Sequence, residues 1–101
     1  MITITEQKEK ITITGHANYA VRGSDIVCAG VSALAETLGR SLALLCDCPG
    51  WFVPVPGDTQ IVNKALDERG RLLIDAFFIG IDGIAGAFPE YVMVTRLGWE
   101  I

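Results

Sequence analysis

At 101 residues, 50% hydrophobic and 20% charged, the chain has the length of one domain and the composition of a globular one. Its net charge is −4 and it carries no basic run, which excludes the electrostatic footprint of a nucleic-acid binder and predicts no direct nucleic-acid partner. No apolar run reaches the roughly 18 residues of a membrane span, so no membrane partner is expected.

The opening MITITEQKEK lacks the basic start and apolar stretch of a secretory signal. Three cysteines is an odd number, which suits free thiols in a reducing cytoplasm better than a disulfide framework. The apolar surplus of so small a chain predicts a buried subunit interface.

The motif ITIT occurs at Ile2–Thr5 and again at Ile11–Thr14, each time alternating apolar with β-branched polar residues. With EQKEK between them, the two copies predict a β-hairpin. Ile11, Ile13 and Gly15 fall on one face of the second strand; Thr12, Thr14 and, if the chain stays extended, His16 fall on the other. From Ser24 or Asp25 the period changes. Val27, Val31, Leu34, Leu38, Leu42 and Leu45 recur at three and four residues and predict one apolar stripe of a helix. Ser24 and Asp25 both suit the N-cap, Glu36 and Arg40 make an outer i,i+4 pair, and Cys48–Gly50 (CPG) stops the helix.

In WFVPVPGDTQIVNKA the pattern predicts a short strand near Trp51–Val55, a turn at Pro56–Asp58 and a strand near Thr59–Lys64. Two prolines restrict the first strand to an edge position or an irregular extension. A second helix runs from about Glu68 to Phe88 and ends at Pro89. It is apolar almost all round, which predicts burial on two sides. A last strand, YVMVTRL, follows. Strand pairs separated by helices predict an α+β two-layer sandwich: a mixed or antiparallel sheet of four to five strands with both helices on one face.

The only histidine, His16, stands at the end of the second strand, and Cys28 opens the following helix 12 positions later. Whichever residue is the N-cap, Cys28 lies in the first turn, where orphan N–H groups and the macrodipole favour an anion. An imidazole across the intervening loop would take the thiol proton and later return it to a leaving amine. A small buried hydrophobe beside an unrelated histidine gives the same spacing, and spacing alone does not choose between them. Cys46 and Cys48 in CDCPG offer too few ligands for a structural zinc site, and their separation does not match a redox pair, so neither metal nor cofactor is predicted. Gly80, Gly83 and Gly86 lie mid-helix without a strand-turn context and are read as permitting close helix packing.

Gly15-His16-Ala17, a short loop, and then GSDIVCAGVSAL together resemble the ribosomal-processing cysteine proteases of bacteria and some of their phages. The resemblance implies a cysteine endopeptidase that removes the N-terminal extension of a large-subunit ribosomal protein, and a homodimer. It makes Cys28 the nucleophile and His16 the general base. Gly15 would let a peptide approach, Asp25 would cap the helix and lend electrostatic support, and Ser32, on the Cys28 side of the helix, would hold a partner by hydrogen bond or serve as a small packing residue. Oxyanion donors are expected among the backbone N–H groups near Cys28. Aromatic residues of the substrate would fit pockets lined by Tyr19, Val21 or Phe52. The segment Trp51–Lys64 departs most from the family's pattern. The alternatives are a non-catalytic ribosome-assembly or peptide-binding factor, and a prophage protease acting on a capsid or scaffold protein.

Overall fold

The computed structural model describes residues 1–21, 23–46, 50–63 and 66–96. The two ITIT segments form β1 (Ile2–Glu6) and β2 (Lys10–Thr14), an antiparallel hairpin in which Ile4 faces Ile13 and Glu6 faces Ile11. Their alternation sends Ile2, Ile4, Ile11 and Ile13 into the core and leaves Thr3, Thr5, Thr12 and Thr14 less buried on the opposite face. After helix α1 (Ile26–Leu45) come β3 (Gly50–Val53) and β4 (Asp58–Asn63), then helix α2 (Glu68–Ala87) and β5 (Val92–Arg96).

The five strands make one mixed sheet in the order β3-β4-β2-β1-β5. Only the β1–β5 pair is parallel, since β5 returns through α2 and its crossover. Both helices join one core cluster with the buried face of the sheet, which gives the expected two-layer sandwich. β3 takes an edge and stops at Val53, before Pro54 and Pro56, so the prolines lie in the turn segment and not in the expected strand to Val55.

Asp25 is the N-cap of α1, so the choice between it and Ser24 falls to the aspartate. Val27, Val31, Ala35, Leu38 and Leu42 form the buried stripe. Two expected stripe members lie outside it. Leu34 rotates toward α2 and packs on Gly80, where an added Cβ would stand 3.0 Å from Leu34 Cδ1, while Leu45 is exposed. Glu36 and Arg40 interrupt the apolar run of α1, although by length and overall composition the helix would pass for a membrane span. In the fold it is a core helix: its apolar stripe lies on the sheet, and the Glu36–Arg40 pair, 3.8 Å apart, lies on its exposed face.

Helix α2 buries Gly70, Ile74, Phe77, Phe78 and Ile81 on one face only. Burial on two sides is not found within one chain: Leu72 and Ile79 are 70% and 75% exposed. Gly80 faces Leu34, in keeping with close helix packing, but Gly83 and Gly86 face no described atom within 4 Å.

Glu6 breaks the apolar alternation of β1. It reads as a residue of the polar turn, yet it is only 3% exposed, at the core position after Ile2 and Ile4. Its carboxylate accepts from Arg96 Nε at 2.8 Å and from Arg71 Nη2 at 2.9 Å, and Arg96 also donates to Asp75 at 2.9 Å. The Arg96 guanidinium lies 4.1 Å from the Phe78 ring centroid. This cluster ties β1, β5 and α2 together. Cys48 and Pro49 of the expected helix stop, and the ends of the predicted strands at Lys64 and Leu97, lie outside the described residues.

Candidate active site

Sheet order brings the site together. Because β4 lies beside β2, the β3–β4 turn arrives next to the residues that leave β2, and the N-terminus of α1 faces both. A cleft of about 760 Å³ opens between them. His16, Cys28 and Ser32 line it, as do Gly15 and Asp25. Ser32 is exposed on the α1 turn after Cys28.

The extended course of β2 ends at Thr14, because Gly15 has a φ of +86°. A side chain at Gly15 would also overlap the Met1 carbonyl. Its lack of a side chain thus answers to the neighbouring chain, not only to an approaching peptide. His16 is fixed by its backbone. The Gly15 N–H donates to the Gly57 carbonyl at 3.0 Å, and the His16 carbonyl accepts from the Met1 ammonium at 2.7 Å. The imidazole itself is exposed on the cleft wall.

Cys28 is the third residue of α1 and half-buried, one side against the core and the other on the cleft. Asp25 holds its surroundings. One carboxylate oxygen accepts from the N–H groups of Val27 and Cys28, both at 3.0 Å; the other accepts from Tyr19 N–H at 3.0 Å and Ala20 N–H at 3.5 Å. The Cys28 amide, opposed by partial burial and assisted by the Tyr19 and Ala20 amides and the Cys28 side chain, lowers the Asp25 pKa. The amides of Val27 and Cys28 donate to Asp25, so these two of the N–H groups near Cys28 are engaged and the positive helix end is answered by a carboxylate.

The three side chains assigned to substrate pockets lie elsewhere. The Tyr19 ring makes edge contacts with Phe88 and Tyr91, with centroids 5.3 and 5.2 Å apart. Phe52 lies over Gly39 of α1, where a Cβ would come within 2.7 Å of its ring. Val21 is 76% exposed and is not among the residues lining this cleft. For Tyr19 and Phe52 a nearer apolar partner outcompetes the cleft. The walls instead use Asn18, at a positive φ of 55°, and Pro56, Gly57 and Thr59 from the β3–β4 turn. The Pro-Gly-Asp turn is visible in the sequence, but its place beside His16 depends on a strand order that sequence does not give. Among the described residues there is no group of three or more His, Cys, Asp or Glu side chains able to hold a metal ion.

The sequence model of the family described as "Cysteine protease Prp" matches residues 1–93. The ribosomal processing cysteine protease Prp of Bacillus subtilis is 25% identical, over 82% of this chain and 80% of its own length. A protein of the same name from Mycoplasma pneumoniae is 50% identical over a shorter stretch, 34% of each chain. Among solved structures, the essential ribosomal processing protease Prp of S. aureus, in complex with a covalently linked product peptide, superposes with a TM-score of 0.84 at 22% identity. That superposition covers 95% of this chain and 99% of that one. A Streptococcus mutans protein, 33% identical, superposes with a TM-score of 0.73 over 94% and 90%.

Proposed function

The chain belongs to the cysteine protease Prp family, and from that premise we propose that Cys28 is its nucleophile, His16 its general base, and an N-terminal extension of a large-subunit ribosomal protein its substrate. The observation that carries this reading is one cleft lined by both His16 and Cys28, with the Cys28 helix capped by Asp25.

In this reading the His16 imidazole takes the Cys28 proton, and the sulfur attacks the scissile carbonyl to form a tetrahedral intermediate. As that collapses, the imidazolium gives its proton to the leaving amine and an acyl-enzyme remains. Water, deprotonated by the same imidazole, then releases the acid and frees the thiol. Asp25 acts through the backbone. It fixes the first turn of α1 and the Tyr19–Ala20 segment, and so the loop between the two reacting groups. The curated relatives bear the name ribosomal processing protease, which supports a ribosomal protein as substrate.

We also propose a homodimer in a reducing cytoplasm. The outward apolar face of α2, at Leu72 and Ile79, is the face a second copy would cover. Light scattering at micromolar concentration should return twice the chain mass.

The deciding experiment incubates the protein with the extended ribosomal protein and reads the new N-terminus by mass spectrometry. Loss of the extension is expected, together with selective alkylation of Cys28 by iodoacetamide. An intact ribosomal protein, with a capsid or scaffold protein cut instead, would transfer the same chemistry to another substrate. No cleavage and no selective alkylation would leave a peptide-binding module.

A further inference from the structure

The segment Val55-Pro56-Gly57-Asp58 closes the β3–β4 hairpin. The Asp58 N–H donates to the Val55 carbonyl at 2.8 Å, and the same carbonyl accepts from Thr59 Oγ1 at 3.2 Å. Proline at the second position and a φ of +78° at Gly57 in the third make this a type II turn, whose third position requires glycine or tolerates asparagine. The turn alone would account for Gly57. Two further contacts do not follow from it. The Gly57 carbonyl accepts from the Gly15 N–H at 3.0 Å, which straps the turn to the residue before His16. A Cβ on Gly57 would stand 2.7 Å from His16 Nε2 and 3.2 Å from Cε1, so the imidazole occupies the space that a side chain there would need.

We infer that Gly57 is a positioning residue of the catalytic pair: its bare Cα is the seat on which the His16 imidazole rests, and the β3–β4 turn sets the ring's distance from Cys28. The inference rests on His16 acting as the base. It gives the Pro-Val-Pro-Gly segment a task in the chemistry. The edge hairpin and the N-terminus of α1 hold the two halves of the site from opposite walls, so the spacing of the turn is as much a part of the site as the two side chains.

The test compares wild type, Gly57→Asn, His16→Ala and the double variant. Asparagine accepts the positive φ but brings a Cβ, which separates the demand of the turn from the demand of the ring. The readouts are melting temperature, kcat/KM on the extended ribosomal protein, and the pH profile of Cys28 alkylation located by mass spectrometry. The last needs no substrate. Gly57→Asn should remain folded and lose about a hundredfold in kcat/KM, the scale of a 1 Å misplacement. Its alkylation profile should move toward that of His16→Ala. In the His16→Ala background the same change should leave alkylation within about twofold and lower the melting temperature less, because no ring is left to displace.

A folded Gly57→Asn protein with wild-type kcat/KM and alkylation profile overturns the inference. Should Gly57→Asn fail to fold, a folded double variant supports the seat, and an unfolded one assigns Gly57 to the turn alone and overturns it. If His16→Ala alkylates like wild type, the base reading itself falls. That outcome is distinct from a His16-dependent profile that Gly57→Asn leaves unmoved.

Discussion

Two clusters of ionisable side chains lie at separate places on the sheet: His16 and Cys28 line a cleft of about 760 Å³, whereas Asp75 and Arg96 border a smaller one of about 430 Å³. Where β1, β5 and α2 meet, Glu6 is almost fully buried and both carboxylate oxygens are engaged by Arg71 and Arg96, the latter also bound to Asp75. Burial draws the Arg96 pKa down, but the two carboxylates outweigh it and hold the group above its ordinary value. Charge there is answered inside the protein and ties elements together. Where β2, α1 and the β3–β4 turn meet, the backbone is as firmly bonded, yet the imidazole of His16 and the thiol of Cys28 open onto the cleft. The carboxylate there, Asp25, spends its oxygens on backbone N–H groups. Partners fixed within the protein make a joint; a fixed backbone with reactive ends left open makes a site.

The largest effects should separate the two regions completely. Cys28→Ala should lower turnover by a factor on the order of 10⁶, the scale of removing a nucleophile, and His16→Ala by about 10² to 10⁴. Both should leave circular dichroism and melting temperature nearly unchanged, because His16 is exposed and Cys28 only half-buried. A variant of either residue that turns over normally would remove it from the chemistry. Glu6→Ala should do the reverse. It leaves the mostly buried Arg96 without its main counter-charge and should cost about 3–5 kcal/mol in denaturant unfolding. The remaining folded fraction should cleave with wild-type kcat/KM. A Glu6→Ala protein that is fully stable but catalytically weak would mean that this cluster reaches the site.

The halves also differ in how far the sequence foretold them. The hairpin, both helices and the last strand follow from alternation, from 3.6-residue spacing and from turn residues, all local signals. That His16 and Cys28 meet at one cleft was legible because they flank a short loop, and the Asp25 cap because capping is a local rule. The remainder depends on pairing between distant segments. Glu6 looked like turn polarity, since its arginines lie 65 and 90 residues away. Tyr19 and Phe52 looked like pocket aromatics because nothing local reveals Phe88, Tyr91 or the gap above Gly39. Gly57 read as a turn glycine, and its second task emerged only once β4 lay beside β2.

Asp25 joins the two behaviours, being a structural carboxylate inside the site, and its removal should have a smaller effect than either change above. Asp25→Ala frees four N–H groups, loosens the Tyr19–Ala20 segment and lets the Cys28 turn fray, so kcat/KM should fall about tenfold, short of the hundredfold that a full 1 Å displacement costs. Its signature is in acid. The amide of Cys28, with those of Tyr19 and Ala20, holds the folded-state pKa below the ordinary 3.8. A depressed carboxylate pKa means that the folded protein binds a proton less readily than the unfolded chain. The stabilisation is therefore complete above the unfolded value, and it is lost as pH falls through the lower folded one. The gap in melting temperature between wild type and Asp25→Ala should be constant from neutral pH down to about 5 and close progressively below about 4. Asp67, which caps α2 and is lowered in the same direction chiefly by the Gly70 amide, keeps its own acid dependence in both proteins and cancels from the difference. A gap that persists unchanged to pH 3 would mean that the Asp25 charge contributes nothing to the cap, and that Asp25→Ala acts through lost packing alone.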